Sequence, residues 1–143
     1  MKPPEEIVRA ACQTVWNDFD IDRVGEFYAD DYTADYPIGD AWGTGVEGVK
    51  AYATLMRSAF PDYTEEVEDL IAQGNKVVVR LRVRGTHRGE LFGIPATNKS
   101  VDARDITICE VRDGKIISQT GLSDTFTMYT QLGLIPGQDS DAA

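Results

Sequence analysis

The dipeptide Asp113-Gly114 most constrains how this chain can fold. Asp-Gly suits a two-residue type I′ turn, whose twist joins two antiparallel strands directly. The flanking runs, Val101 to Arg112 and Lys115 to Asp124, are long enough to form that ladder. A clean two-residue loop sets Arg112 opposite Lys115, Ala103 opposite Asp124 and Asp105 opposite Leu122. Asp105 and Asp124 then become diagonal neighbours on one face, roughly 7 Å apart at Cβ. Two carboxylates that close cannot both ionise cheaply without compensation, so they are acid/base candidates. A β-bulge anywhere along the ladder would shift the register and separate them.

In that register one face carries Val101, Ala103, Asp105, Thr107, Cys109 and Val111 with Ile116, Ser118, Thr120, Leu122 and Asp124. The other carries Ile106, Ile108 and Ile117 with Arg104, Glu110 and Gln119. Small, hydroxyl and carboxyl side chains with apolar neighbours suit a lined cavity. They also suit an ordinary solvent face.

The hairpin closes a chain that begins with helices. Ile7, Val8, Ala11, Val15 and Trp16 recur at helical spacing, so Glu5 to Asn17 is predicted as a helix. A short helix is expected from Ile21 to Tyr28, a strand from Tyr32 to Ile38, and a turn-rich connection from Gly39 to Gly45. Val49, Tyr52, Ala53, Met56 and Phe60 form a stripe on a helix from Val46 to Phe60, which Pro61 stops. Strands are then expected over Tyr63 to Ala72 and over valine-rich Lys76 to His87, with a loop from Arg88 to Asn98. A terminal helix, Thr125 to Leu132, ends at Gly133. Helices first and antiparallel strands later make an α+β fold with helices on one face of a curved sheet. One domain is expected over residues 1–136, with a disordered tail over 137–143.

Charge narrows the partners. With 24 acidic and 14 basic residues, the net charge is −10, which argues against nucleic acid and against an anionic membrane surface. No apolar stretch reaches membrane-span length and no signal-peptide core is apparent, so a cytoplasmic location is expected. Cys12 and Cys109 are expected to be reduced and buried. The single histidine, His87, excludes a multi-histidine metal centre within one chain, and no metal is expected.

Several local signals have two readings. Gly43-Thr-Gly45-Val-Glu-Gly48 matches a dinucleotide fingerprint but lacks a βαβ context, so it reads as a turn. Arg80, Arg82 and Arg84 alternate along one strand and pair most simply with Glu65, Glu66, Glu68 and Asp69 on the neighbouring strand. His87, at a strand end, is either structural or catalytic. Trp16, Tyr36, Trp42 and Phe92 are either core or a lining for a flat ligand. Asp35 is a third candidate carboxylate, with solvation as its simpler reading.

Ala59-Phe60-Pro61-Asp62, Arg84-Gly85-Thr86-His87-Arg88-Gly89, Phe92-Gly93-Ile94-Pro95-Ala96-Thr97, Asp113-Gly114-Lys115-Ile116 and Gln131-Leu132-Gly133 stand in order, after Trp16-Asn17. The ordered set resembles the SnoaL-like polyketide and ester cyclases from about Ile7 to Pro136. The resemblance implies a cone-shaped, nuclear transport factor 2-like sheet with a deep internal pocket. It implies an aspartate acid/base at the end of the last strand, where Asp124 stands, driving an intramolecular aldol closure without a cofactor. Asp105 and His87 complete the candidate catalytic set. Trp16, Asp35, Tyr36, Trp42, Tyr52, Phe60, Phe92, Thr107 and Thr120 form the candidate substrate-binding set. A small hydrophobic or polyketide-like substrate and a homodimer or higher homo-oligomer are expected. An isomerase is the companion reading. The alternatives are an epoxide hydrolase with a carboxylate pair activating water, and a non-catalytic binding domain. The chain departs from its relatives by carrying Thr120 and Ser123 where tryptophans are common, Asp35 where histidine is, and Asp105 where glycine is.

Overall fold

The computed structural model describes residues 1–37 and 42–137. Helix α1 (Pro4–Ala11) starts at a proline, whose fixed φ suits a first helical position. It runs into a π-helical segment, Cys12–Asn17, marked by the Asp18 N–H to Gln13 carbonyl bond of 2.8 Å. The wider turn keeps Cys12, Val15 and Trp16 buried together. A 3-10 turn, Ile21–Glu26, replaces the expected second helix.

Strand β1 spans Tyr28–Asp35, starting earlier than expected because Tyr28 and Tyr32 are both fully buried strand residues. Helix α2 (Gly45–Ala59) follows, then β2 (Thr64–Gln73), β3 (Lys76–Thr86), β4 (Ser100–Arg112), β5 (Lys115–Ser123) and α3 (Thr125–Gln131). Their order in the sheet is β1-β5-β4-β3-β2. The pairs from β2 to β5 are antiparallel, as expected, whereas β1 joins β5 in parallel. Helix α1 packs against β2, β3 and β5 on the inner face, and α2 against β1. The expected tail beyond Gly137 and residues 38–41 of the expected strand end and connection lie outside the described residues.

Bulges in β5 and β2 set which of their side chains face inward, and the β1–β5 pairing shifts between Tyr28 and Thr33. In β4–β5, Arg112 pairs with Lys115 and Val111 with Ile116, but Glu110 pairs with Ser118. Ile117 is the extra residue. Beyond it the register moves by one, so Asp105 pairs with Ser123 and Ile106 with Leu122. Gln119, Gly121 and Ser123 now share the inner face with Cys109, Thr107 and Asp105, while Thr120 and Asp124 become exposed. This corrects the clean ladder: one inserted residue turns every later side chain over. The bulge between Val67 and Asp69 does the same in β2.

On the outer face Arg80 and Arg84 pair with acids of β2, as the simpler reading expected, whereas Arg82 pairs with Asp102 of β4, outside the expected set. Arg82 meets Asp102 at 2.7 Å, Arg80 meets Glu68 at 3.7 Å, and Arg84 meets Glu66 at 3.6 Å. Glu65 is the exception, because it points inward and is buried. The glycine-rich stretch serves close packing, as the turn reading expected. A Cβ at Gly48 would lie 2.3 Å from the Gly43 carbonyl carbon, and Gly45 turns into α2 at φ 71°. Among the described residues, no helix is long and apolar enough to cross a membrane.

Candidate active site

A cavity of about 140 Å³ lies between the inner face of the sheet and the helices. Its floor and walls are Trp16, Tyr28, Tyr36, Trp42, Tyr52, Tyr63 and Phe92 with aliphatic residues of β3 and β4. Trp42 stacks on Tyr52 with ring centres 4.3 Å apart and planes 5° apart, and on Tyr36 at 5.0 Å and 22°. Trp16 meets Trp42 edge-on at 5.7 Å and donates its indole N–H to the Tyr28 hydroxyl at 2.9 Å. Flat, parallel aromatic surfaces of this kind suit a planar, conjugated ligand.

Asp105 enters the cavity from the middle of β4. Its Oδ2 accepts from the Ser123 hydroxyl at 3.2 Å, a contact the shifted register creates. Its Oδ1 is buried and has no hydrogen-bond partner among the described residues. Burial pushes the carboxyl up to about 6, and the Ser123 bond only partly offsets this. The charge of Asp105 helps to hold the phenols of Tyr36, Tyr52 and Tyr63 protonated, after burial itself. Tyr36 sits over Gly121, where a Cβ would come within 2.4 Å of the ring, and accepts from Gln119 Nε2 at 3.2 Å. Thr107 is buried beside it, donating to the Thr120 carbonyl at 3.2 Å.

Asp124 borders the mouth of the same cavity, but its carboxylate serves α3. It accepts the Thr127 N–H at 3.1 Å and the Thr127 hydroxyl at 2.6 Å, as an N-cap residue does. These two bonds hold its carboxyl below the usual range, and the side chain is exposed. The two aspartates therefore do not converge as diagonal neighbours. The bulge separates them into one half-buried group, with its Oδ1 inside the cavity, and one exposed capping group.

Other candidates divide in the same way. Trp16, Tyr36, Trp42, Tyr52, Phe92 and Thr107 line the cavity. Asp35 and Thr120 are exposed on β1 and β5, and Phe60 packs beneath Gly85 and His87 instead. His87 is fully buried away from the cavity wall. Its Nδ1 accepts the Thr97 N–H at 3.2 Å and its backbone bonds Lys99 and Asn98, so it ties down the following loop.

Glu65 was missed by the sequence reading. It lines the cavity from β2, accepts the Tyr63 hydroxyl at 2.7 Å, and is pushed up to about 7 by burial. The available signal was its place between Tyr63 and Val67 at a period of two. Gly121, alone inside a strand, was likewise the local sign of a close approach.

An α+β cone around an aromatic cavity with buried carboxyl groups defines a pocket protein of the nuclear transport factor 2-like class. Residues 6–132 match the family model described as SnoaL-like polyketide cyclase, and the chain belongs to that family. Aklanonic acid methyl ester cyclase DnrD of Streptomyces peucetius is 33% identical over 91 residues, which span 62% of this chain and 62% of that one. The corresponding cyclase DauD of Streptomyces sp. (strain C5) is 29% identical over 93% of this chain and 83% of that one. Among solved structures, IdmH of Streptomyces antibioticus, a candidate polyketide cyclase, superposes with a TM-score of 0.80 at 28% identity. It covers 92% of this chain and 99% of that one.

Proposed function

We propose that this protein closes a ring in a polyketide-like substrate by an intramolecular aldol step, with Asp105 as the base. The observation that carries this is the buried, unpartnered Oδ1 of Asp105 inside an aromatic cavity. A carboxyl near 6 is mostly ionised at neutral pH, yet basic enough to take an acidic proton. A methylene flanked by two carbonyls supplies such a proton, because those carbonyls delocalise the resulting charge. The carbanion attacks a second carbonyl of the same chain, and the new alkoxide is protonated. The chemistry needs no cofactor. The aromatic stack holds the chain in the folded, reactive conformation, which converts ring closure into a positioned unimolecular event.

The reading assigns the base to Asp105 and leaves Asp124 as the cap of α3. An epoxide hydrolase would need an arginine at the carboxylates. Arg104 faces outward instead and pairs with Glu68 at 2.8 Å. Exposure of Asp124 is what a non-catalytic pocket would show, and the buried Oδ1 of Asp105 is what separates the two readings. The test is turnover of aklanonic acid methyl ester, the compound named for the two curated relatives. Asp105→Asn is expected to lose turnover by roughly 10²- to 10⁴-fold while Asp124→Asn stays within about threefold of the parent. The reverse pattern would return the base to Asp124.

A further inference from the structure

The cavity holds a second carboxyl group that the aldol step as described leaves unused. Glu65 is 8% exposed and its carboxyl accepts the Tyr63 hydroxyl at 2.7 Å. Its backbone is fixed on both sides by Asn17. The Asn17 Oδ1 accepts the Glu65 N–H at 2.8 Å, and Asn17 Nδ2 donates to the Glu65 carbonyl at 2.8 Å. A glutamate locked this firmly, inward, on a strand whose outer acids all meet solvent or arginine, is placed for a purpose other than charge pairing.

Its position relative to Asp105 follows from the register. Glu65 pairs with Val83, and Val83 with Ala103. Asp105 is two residues further along β4. Two strand spacings and two residues put the Cα atoms about 12 Å apart. Both side chains line the same cavity, Glu65 from β2 and Asp105 from β4, with β3 between them.

We propose that Glu65, held by Tyr63, is the proton donor of the ring closure, serving the oxygen of the attacked carbonyl while Asp105 removes the carbon-bound proton. This rests on the base assigned to Asp105. The C–H bond breaks and its proton goes to Asp105. The carbanion forms the C–C bond, and the carbonyl π electrons move to oxygen. That oxygen takes the Glu65 proton and becomes a hydroxyl. Asp105 ends protonated and Glu65 ionised, and exchange with solvent on product release restores both. Burial favours the neutral form of Glu65, and the Tyr63 and Cys12 donors partly oppose it. The groups facing Glu65 are Cys12 from the π-helical segment, Tyr63 on its own strand, and Asp105 and Cys109 from β4.

Two readouts separate the steps. Deuterium exchange from solvent into the methylene of methyl benzoylacetate needs only the base. Ring closure of aklanonic acid methyl ester needs base and acid. Glu65→Gln keeps the acceptor for Tyr63, and is expected to exchange within about threefold of the parent while closure falls roughly 100-fold. Its closure rate should also lack the alkaline limb near pH 7 expected of the parent. Tyr63→Phe removes a donor that favours ionised Glu65, so its alkaline limb should move to higher pH. A Glu65→Gln protein that closes the ring at the parental rate and pH profile overturns the proposal, as does equal loss of exchange and closure. Asp105→Asn with parental exchange would instead overturn the base assignment, independently of Glu65.

Discussion

Replacing Asp105 by asparagine removes a charge that the fold holds at a cost, so the variant should gain stability as it loses activity. The carboxyl rises from 3.8 to about 6, and each step of one in pKa corresponds to about 1.4 kcal/mol. The folded state prefers the neutral acid. Its stabilisation is therefore fully present below about pH 4 and is lost as pH rises through about 6. At pH 8 the ionised group costs about 3 kcal/mol. Asparagine has nearly the same shape and no charge, but leaves an amide without partners, which costs about 1–2 kcal/mol. The net expectation is a gain of about 1–2 kcal/mol at pH 8, or roughly 3–6 °C in Tm for a chain of this size. At pH 4.5 the aspartate is already neutral in the fold, so the gain should vanish or reverse. Thermal and urea unfolding at pH 4.5, 6 and 8 would measure this. A stability difference that does not depend on pH, or a loss at pH 8, would show that Asp105 is not a desolvated carboxyl and would refute the reasoning.

Other expectations follow from the same geometry. Glu65 titrates in the same direction as Asp105, from 4.5 to about 7, so parental stability should fall between about pH 4.5 and 7; a stability that rises across this range would contradict the buried-acid account. Gly121→Ala drives a methyl into the Tyr36 ring and should cost about 1–3 kcal/mol together with most turnover; an unchanged melting temperature and rate would show that Tyr36 is not seated there. Asp124→Ala should destabilise by about 1 kcal/mol through the lost cap, and Asp124→Asn by much less, as read by chemical denaturation; an equal loss in both would point to a role for the charge itself.

Much of this architecture was legible because burial writes a period into the sequence. The stripe from Val49 to Phe60 gave α2 to within a residue at each end, and the valines of β3 marked that strand. The arginine ladder was read correctly as paired, since opposite charges on neighbouring strands need no ligand. The site was less legible, for one physical reason. Strand alternation predicts a face only until a residue is inserted, and Ile117, next to the equally apolar Ile116, carries no mark distinguishing it from an ordinary strand residue. That single insertion exchanged Asp124 for Ser123 as the neighbour of Asp105. Glu65 failed differently, because a run of acids beside a run of arginines conceals the one acid that turns inward. His87 has the structural one of its two readings in this fold, since its side chain meets Thr97 and Phe60 and lies away from the cavity.

The central claim is that the working base is Asp105 in the cavity, not Asp124 at its mouth. The most direct measurement is the pH dependence of solvent deuterium exchange into methyl benzoylacetate, followed by proton magnetic resonance for the parent, Asp105→Asn and Asp124→Asn. The account predicts a parental rate that rises through about pH 6, a similar curve for Asp124→Asn, and background exchange for Asp105→Asn. A parental curve retained by Asp105→Asn and lost by Asp124→Asn would contradict it.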